Sequence, residues 1–101
     1  MSRPLGAIDC GTNSTRLLVA ETEGGRPLTT LAAERRFVRL PEGATGGAVG
    51  PARAARLAAV VAGQVALARE HGAERIRVVG TAALRRCADR DEVVAAVGRA
   101  A

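Results

Sequence analysis

Short apolar runs broken by small polar residues open the chain, and longer Ala, Val and Leu stretches at helical spacing follow. Leu5 to Ile8 and Arg16 to Ala20 read as two buried strands, each a brief apolar run with turn residues beside it. Between them, DCGTNS contains the Gly and Asn that tolerate unusual backbone angles, which predicts a hairpin connection. EGGRP at residues 23–27 is a second turn, and Leu28 to Leu40 predicts a third strand. Its Ala32 to Arg36 portion has helical potential too, but the short flanking turns favour a strand.

PEGATGGAVGP, residues 41–51, has four glycines and two prolines and predicts a loop. Pro51 suits a first helical turn, and the segment to His71 places Leu57, Val60, Val61, Leu67 and Ala68 near one face, with Gly72 as the terminating glycine. RIRVV, residues 75–79, predicts a fourth strand, and GTAA begins another turn. Asp89 is positioned to cap a final helix, with Asp91 and Glu92 complementing the dipole in its first turn and Val93, Val94 and Val97 facing inward. The order of three meandering strands, helix, strand and helix describes an α/β unit whose sheet is partly antiparallel. The last helix reaches GRAA without a stop signal, which predicts that residues 1–101 are the front of something larger.

Composition narrows this picture. With 101 residues there is room for one small domain, and although 48% of them are hydrophobic, Phe37 is the only aromatic, so Leu and Val must supply nearly all the core. All fifteen basic residues are Arg, and the net charge of +5 suits an anionic partner. The arginines are scattered, no aromatic stacking platform exists and no reading motif is present, which argues against nucleic acid. Cys10 and Cys87 lack metal-ligand spacing, which predicts free thiols in a reducing, cytoplasmic setting. The apolar stretch near the N-terminus is too short for a secretory signal, and Arg53, Arg56 and Gln64 interrupt the Ala-rich segment from Ala52 to Ala68, so no membrane span is expected.

Two segments carry candidate chemistry. In the first hairpin, successive small residues can aim backbone N–H groups into one concavity that binds phosphate oxygens. Gly11, Thr12, Asn13 and Ser14 form that candidate loop, and the last three add side-chain donors. Asp9, at the end of the first strand, is placed to hold a hydrated Mg²⁺ against the same phosphate. Local turn hydrogen bonds from Asp and Asn are the alternative explanation of the same residues. In the second segment, VGTAALRR at residues 79–86, Thr81 offers a hydroxyl and Arg85 a guanidinium fork, at the carboxyl end of a strand where ligands of open α/β sheets gather. A P-loop is excluded because the chain has no lysine, and no dinucleotide fingerprint occurs. His71 reads as a helix-end residue that favours the dipole, and the glycine-rich stretch between Pro41 and Pro51 as either a flap or a plain connection.

AIDCGTNSTRLLVAE at residues 7–21, followed by RIRVVGTAALRRCADRDEVVAAV at residues 75–97, resembles the N-terminal part of the exopolyphosphatase and guanosine pentaphosphate phosphohydrolase (Ppx/GppA) family. RFVRLPEG is similar to that family's third strand and following loop, with Pro41 where a glycine is usual. The resemblance implies an actin-like, ribonuclease H-like lobe, here an incomplete first lobe with a mixed sheet. It further implies Mg²⁺-assisted attack of water on a terminal phosphoanhydride of polyphosphate or guanosine pentaphosphate. On matching positions, Asp9 helps place the metal, Gly11, Thr12, Asn13 and Ser14 form the first phosphate loop, and Arg85 neutralises phosphate charge. The family is commonly dimeric, which leaves a homodimer open for a full-length protein. Its general-base glutamate, in a G-x-E-E segment, and its second phosphate loop, D-x-G-G-G-S, are not in the sequence, so no catalytic base is assigned within residues 1–101. Two other readings stand beside this one: a kinase-like ATPase of the same superfamily, and a non-catalytic module that binds polyanions or a partner through its arginines.

Overall fold

The computed structural model describes residues 3–11, 13–22, 28–38, 50–80 and 90–100. Four strands, β1 (Leu5–Cys10), β2 (Ser14–Glu21), β3 (Thr29–Phe37) and β4 (Arg75–Gly80), and two helices, α1 (Pro51–Glu70) and α2 (Arg90–Ala100), appear in the predicted order. One sheet has the order β3-β2-β1-β4. Both hairpin pairings, β1 with β2 and β2 with β3, are antiparallel, and β4 joins parallel to β1. A parallel neighbour needs a crossover, and the long chain between β3 and β4, with α1 in it, supplies one.

Both helices cover the same face of this sheet. Ile8 and Cys10 of β1, Leu17 and Val19 of β2, Ala54, Leu57, Val61, Val65 and Ala68 of α1 and Val93 and Val97 of α2 form one buried cluster. The strands therefore alternate: Gly6, Ile8 and Cys10 point inward while Leu5, Ala7 and Asp9 are exposed. β1 and β2 are thus half-buried and not the fully buried strands that their apolar runs suggested, because the other face carries no helix among the described residues. A bulge between Val19 and Ala20 breaks the alternation and lets these two consecutive residues both turn inward.

Local signals account for both ends of α1. Pro51 lies in the first turn, where its missing N–H costs nothing. At the other end His71 is the cap residue and Gly72 follows with φ +86°, a backbone region that a side chain disfavours. The Gly72 amide donates to the Arg69 carbonyl at 2.9 Å and the Ala73 amide to the Ala68 carbonyl at 3.0 Å, so the final carbonyls are satisfied as the chain turns toward β4. Of the predicted face, Leu57, Val61 and Ala68 are buried, and Val60 and Leu67 are partly so.

One prediction needs correction here. Val94 is 63% exposed, because Val93 and Val97, one turn apart, occupy the buried stripe of α2 and Val94 lies about 100° away around the helix. Gln64, which interrupts the apolar run of α1, is completely buried. Asp91 and Glu92 do stand in the first turn of α2. The predicted cap Asp89, Thr81, Arg85, Cys87, Thr12 and the loop at residues 41–49 lie outside the described residues. Among the described residues, no helix is long and apolar enough to cross a membrane.

Candidate functional site

The register of the parallel pair decides where the two candidate segments meet. Asp9 lies beside Val79 and Cys10 beside Gly80, so β1 and β4 end together on adjacent strands. The loop after Cys10 and the chain leaving Gly80 toward Thr81 therefore depart from one edge of the sheet. That edge is the carboxyl end of two parallel strands, where open α/β sheets receive their ligands. Sequence separates these segments by some sixty positions, and only the pairing of β4 with β1 places their origins side by side.

The first loop is held by its carbonyls. The Gly11 amide donates to the Ser14 carbonyl at 3.0 Å, closing the turn, and the Val38 amide donates to the Asn13 carbonyl at 2.8 Å. The Gln64 side-chain amide reaches up from α1 and donates to the Thr15 carbonyl at 3.2 Å. Three successive acceptors are thereby engaged by the turn, by the exit of β3 and by the helix. The Gly11 N–H is thus engaged within the turn. The side chains of Asn13, exposed, and Ser14, partly exposed, remain as outward donors.

Asp9 sits on the outer, uncovered face at the end of β1. Its cross-strand partner is Arg16, whose own partner on β3 is Arg35. This row of one carboxylate and two guanidinium groups borders a shallow concavity of about 450 Å³ that Ala7, Leu18 and Val79 line on the apolar side. Asp9 makes no ion pair among the described residues, whose salt bridges are Arg36 with Glu34 and Arg90 with Asp91. No three His, Cys, Asp or Glu side chains gather into a metal cage among the described residues. A single exposed carboxylate suits Mg²⁺, which keeps most of its waters and takes its other ligands from phosphate, better than it suits a metal that needs a full protein shell.

Cys10 points the other way, into the core, where it is 2% exposed. Burial first, and the neighbouring Asp9 carboxylate second, lift its thiol from the ordinary 9.0 to about 11, so it stays protonated and is no nucleophile near neutrality. It helps line a smaller, apolar recess of about 180 Å³ with Val78, Gly80, Val93 and Val97, beneath the same edge. His71 is exposed at the far end of α1, next to Gly72, away from this edge. The sequence reading overlooked Arg16, Arg35 and Gln64. Arg16 was within reach of it, since a hairpin that pairs Cys10 with Thr15 sets Asp9 opposite Arg16.

A mixed sheet with both described helices on one face describes part of an actin-like domain. The Aquifex aeolicus PPX-GPPA enzyme has the same arrangement: its structure matches 98% of this chain with a TM-score of 0.85 and 28% identity, over 33% of its own length. An exopolyphosphatase from Cytophaga hutchinsonii shares the fold at a TM-score of 0.85 and 24% identity, over 96% of this chain and 31% of its own. In sequence, the Ppx/GppA phosphatase family model matches residues 18–101. Exopolyphosphatase 2 of Mycobacterium tuberculosis is 40% identical over an alignment of 91 residues that covers 86% of this chain. The chain belongs to the Ppx/GppA phosphatase family. It spans 28% of the length of that mycobacterial relative.

Proposed function

We propose that this chain is the front portion of a phosphohydrolase that removes terminal phosphate from inorganic polyphosphate, guanosine pentaphosphate or both, by Mg²⁺-assisted attack of water. Family membership supports the reaction class, and the observation that carries the site is the shared end of β1 and β4, with Cys10 in register with Gly80. In this reading Gly11, Thr12, Asn13 and Ser14 form the loop, and the last three offer donors to phosphate oxygens. Thr81 and Arg85, in the stretch of sequence after Gly80, are further phosphate-binding candidates. Arg16, beside Asp9, adds positive charge to the same row.

Mg²⁺, when bound, supplies charge neutralisation for the phosphate groups, and Asp9 is the residue that would hold its waters. The chain's own contribution is to position phosphate and offset its charge, the main levers in phosphoryl transfer. No described side chain is assigned as general base. A reducing cytoplasmic setting, a polyanionic substrate without nucleic acid or membrane as partner, and a homodimer for the full-length protein belong to the same proposal.

The test is phosphate release from long-chain polyphosphate and from guanosine pentaphosphate, with and without Mg²⁺, by the protein expressed from its complete open reading frame. Asp9→Ala is assayed in parallel. Mg²⁺-dependent release that Asp9→Ala nearly abolishes supports the reading, and the substrate with the higher kcat/KM is the preferred one. Unchanged turnover in Asp9→Ala would overturn the site. ATP-dependent transfer to an acceptor would point to a kinase-like ATPase. Binding of polyphosphate that ignores Mg²⁺ and Asp9 but falls steeply with salt would point to a polyanion-binding module.

A further inference from the structure

Two consecutive residues break the apolar character of the sheet-facing side of α1, and both address one point on the sheet. Gln64 is completely buried among Leu57, Val61, Val65 and Ala68, where an apolar side chain of the same size would pack without a polar atom to satisfy. Its amide donates to the Thr15 carbonyl at 3.2 Å across 49 positions of sequence. Its Oε1, and the hydroxyl of the equally buried Thr15, find no hydrogen-bond partner among the described residues. Packing economy does not explain such a half-satisfied group in a core.

Gly63 precedes it, in a helix interior that disfavours glycine. Arg36 lies close over it: a Cβ at Gly63 would come within 3.1 Å of Arg36 Nη1, the end of an exposed side chain whose Nε holds Glu34 at 2.7 Å. Arg36 is the register partner of Thr15 on β3, and Thr15 is the partner of Cys10 on β1. Gly63 and Gln64 therefore face the same cross-strand row, and Gln64 bonds to it through the Thr15 carbonyl, where the hairpin after Cys10 lands.

We infer that Gln64 is a positioning residue for this loop, acting through the Thr15 carbonyl to set where the loop's donors stand relative to Asp9. The inference rests on the phosphate-loop reading for its catalytic meaning, and on the hydrogen bond for its structural content. The physical logic is preorganisation: a loop that must meet phosphate oxygens works only if its donors are already fixed, and a side-chain tether from a long helix removes the freedom of the residue on which the hairpin lands.

The experiment compares Gln64→Met with the parent protein from the complete open reading frame, at a temperature well below both melting points. Hydrogen exchange, followed by mass spectrometry of peptides covering residues 9–16 and residues 57–68, reads the tether directly. The expected result is exchange about tenfold faster in residues 9–16, little change in residues 57–68, and a kcat/KM for polyphosphate lower by about tenfold with Tm nearly unaltered. Gln64→Glu is the second variant: burial keeps its carboxyl protonated, so it retains a donor, folds with the same shape and should restore both readouts toward the parent values. Loop exchange indistinguishable from the parent in a folded Gln64→Met variant overturns the inference, as does a loss that Gln64→Glu fails to restore. If the parent releases no phosphate from polyphosphate, the functional reading fails, while the exchange data still decide whether Gln64 positions the loop.

Discussion

The two faces of the one sheet are built from the same strands and have opposite fates. On the inner face Ile8 and Val19 are fully buried and Leu17 is 2% exposed, whereas on the outer face Leu5, Leu18, Phe37 and Val79 are 52%, 44%, 57% and 47% exposed. Alternation sends neighbouring residues of one strand to each side, so the difference is made by what covers the sheet and not by the strands. Stability is concentrated where α1 and α2 lie. Asp9, Arg16 and Arg35, the charged row of the candidate site, stand on the side that no described helix covers. The hairpin after Cys10 joins the two, because the Thr15 carbonyl on which it lands is held from the inner face by Gln64 while Asp9 looks outward.

Substitutions that act on one face alone test this division. Largest is Asp9→Ala, which under the proposed function should lower phosphate release by the full-length protein about 10² to 10³-fold, as expected for loss of a group proposed to position charge in the transition state. Its effect on stability should stay within about 0.5 kcal/mol, as for surface positions generally. Steady-state kinetics beside urea unfolding check both halves, and a variant that unfolds easily yet turns over normally would break the comparison. Leu57→Ala on the inner side should cost about 2 to 5 kcal/mol of unfolding free energy, because it leaves a cavity under the sheet. Leu18→Ala on the outer side should cost about 0.5 kcal/mol or less by the same urea measurement. Equal losses at the two positions would mean that both faces are covered in solution.

Gly72→Ala belongs to neither face and measures the turn between them. Its φ of +86° strains any side chain, so destabilisation of about 1 kcal/mol is expected. Cys10 supplies the smallest effect. Its thiol, raised to about 11, contributes to stability below its ordinary value of 9.0, and that contribution is lost as pH climbs from there toward about 11, where the unfolded chain ionises first. Iodoacetamide at pH 8 should therefore label Cys10 more slowly in the folded chain than in urea, and equal rates would place the thiol on the open side.

Much of the fold was legible because its signals are local. Pro51 and Gly72 mark the ends of α1 through their own backbone limits, and the DCGTNS hairpin follows from residues that tolerate its angles. The candidate loop and Asp9 were legible for the same reason, as small polar residues wedged between apolar runs. Where the reading erred, the deciding term was distant. Val94 looks as apolar as Val93, and only the direction in which α2 meets α1 separates them. Gln64 reads only as a polar break in an apolar run until the Thr15 carbonyl, 49 positions away, is found beside it. Arg16 and Arg35 looked like two of fifteen scattered arginines until strand register put them in line with Asp9.

By itself, then, the sequence determined the kind and order of the elements, the hairpin after β1, the ends of α1 and the residues from which a phosphate loop can be made. Periodicity and turn chemistry act over a few residues and are present in any stretch of the chain. The tertiary structure alone decided that β4 lies against β1, that both helices take one face, and that Cys10 and Gly80 end side by side. Those choices arise from burying apolar surface between elements far apart in sequence, an energy that depends on the assembled neighbours and leaves no trace in any single segment.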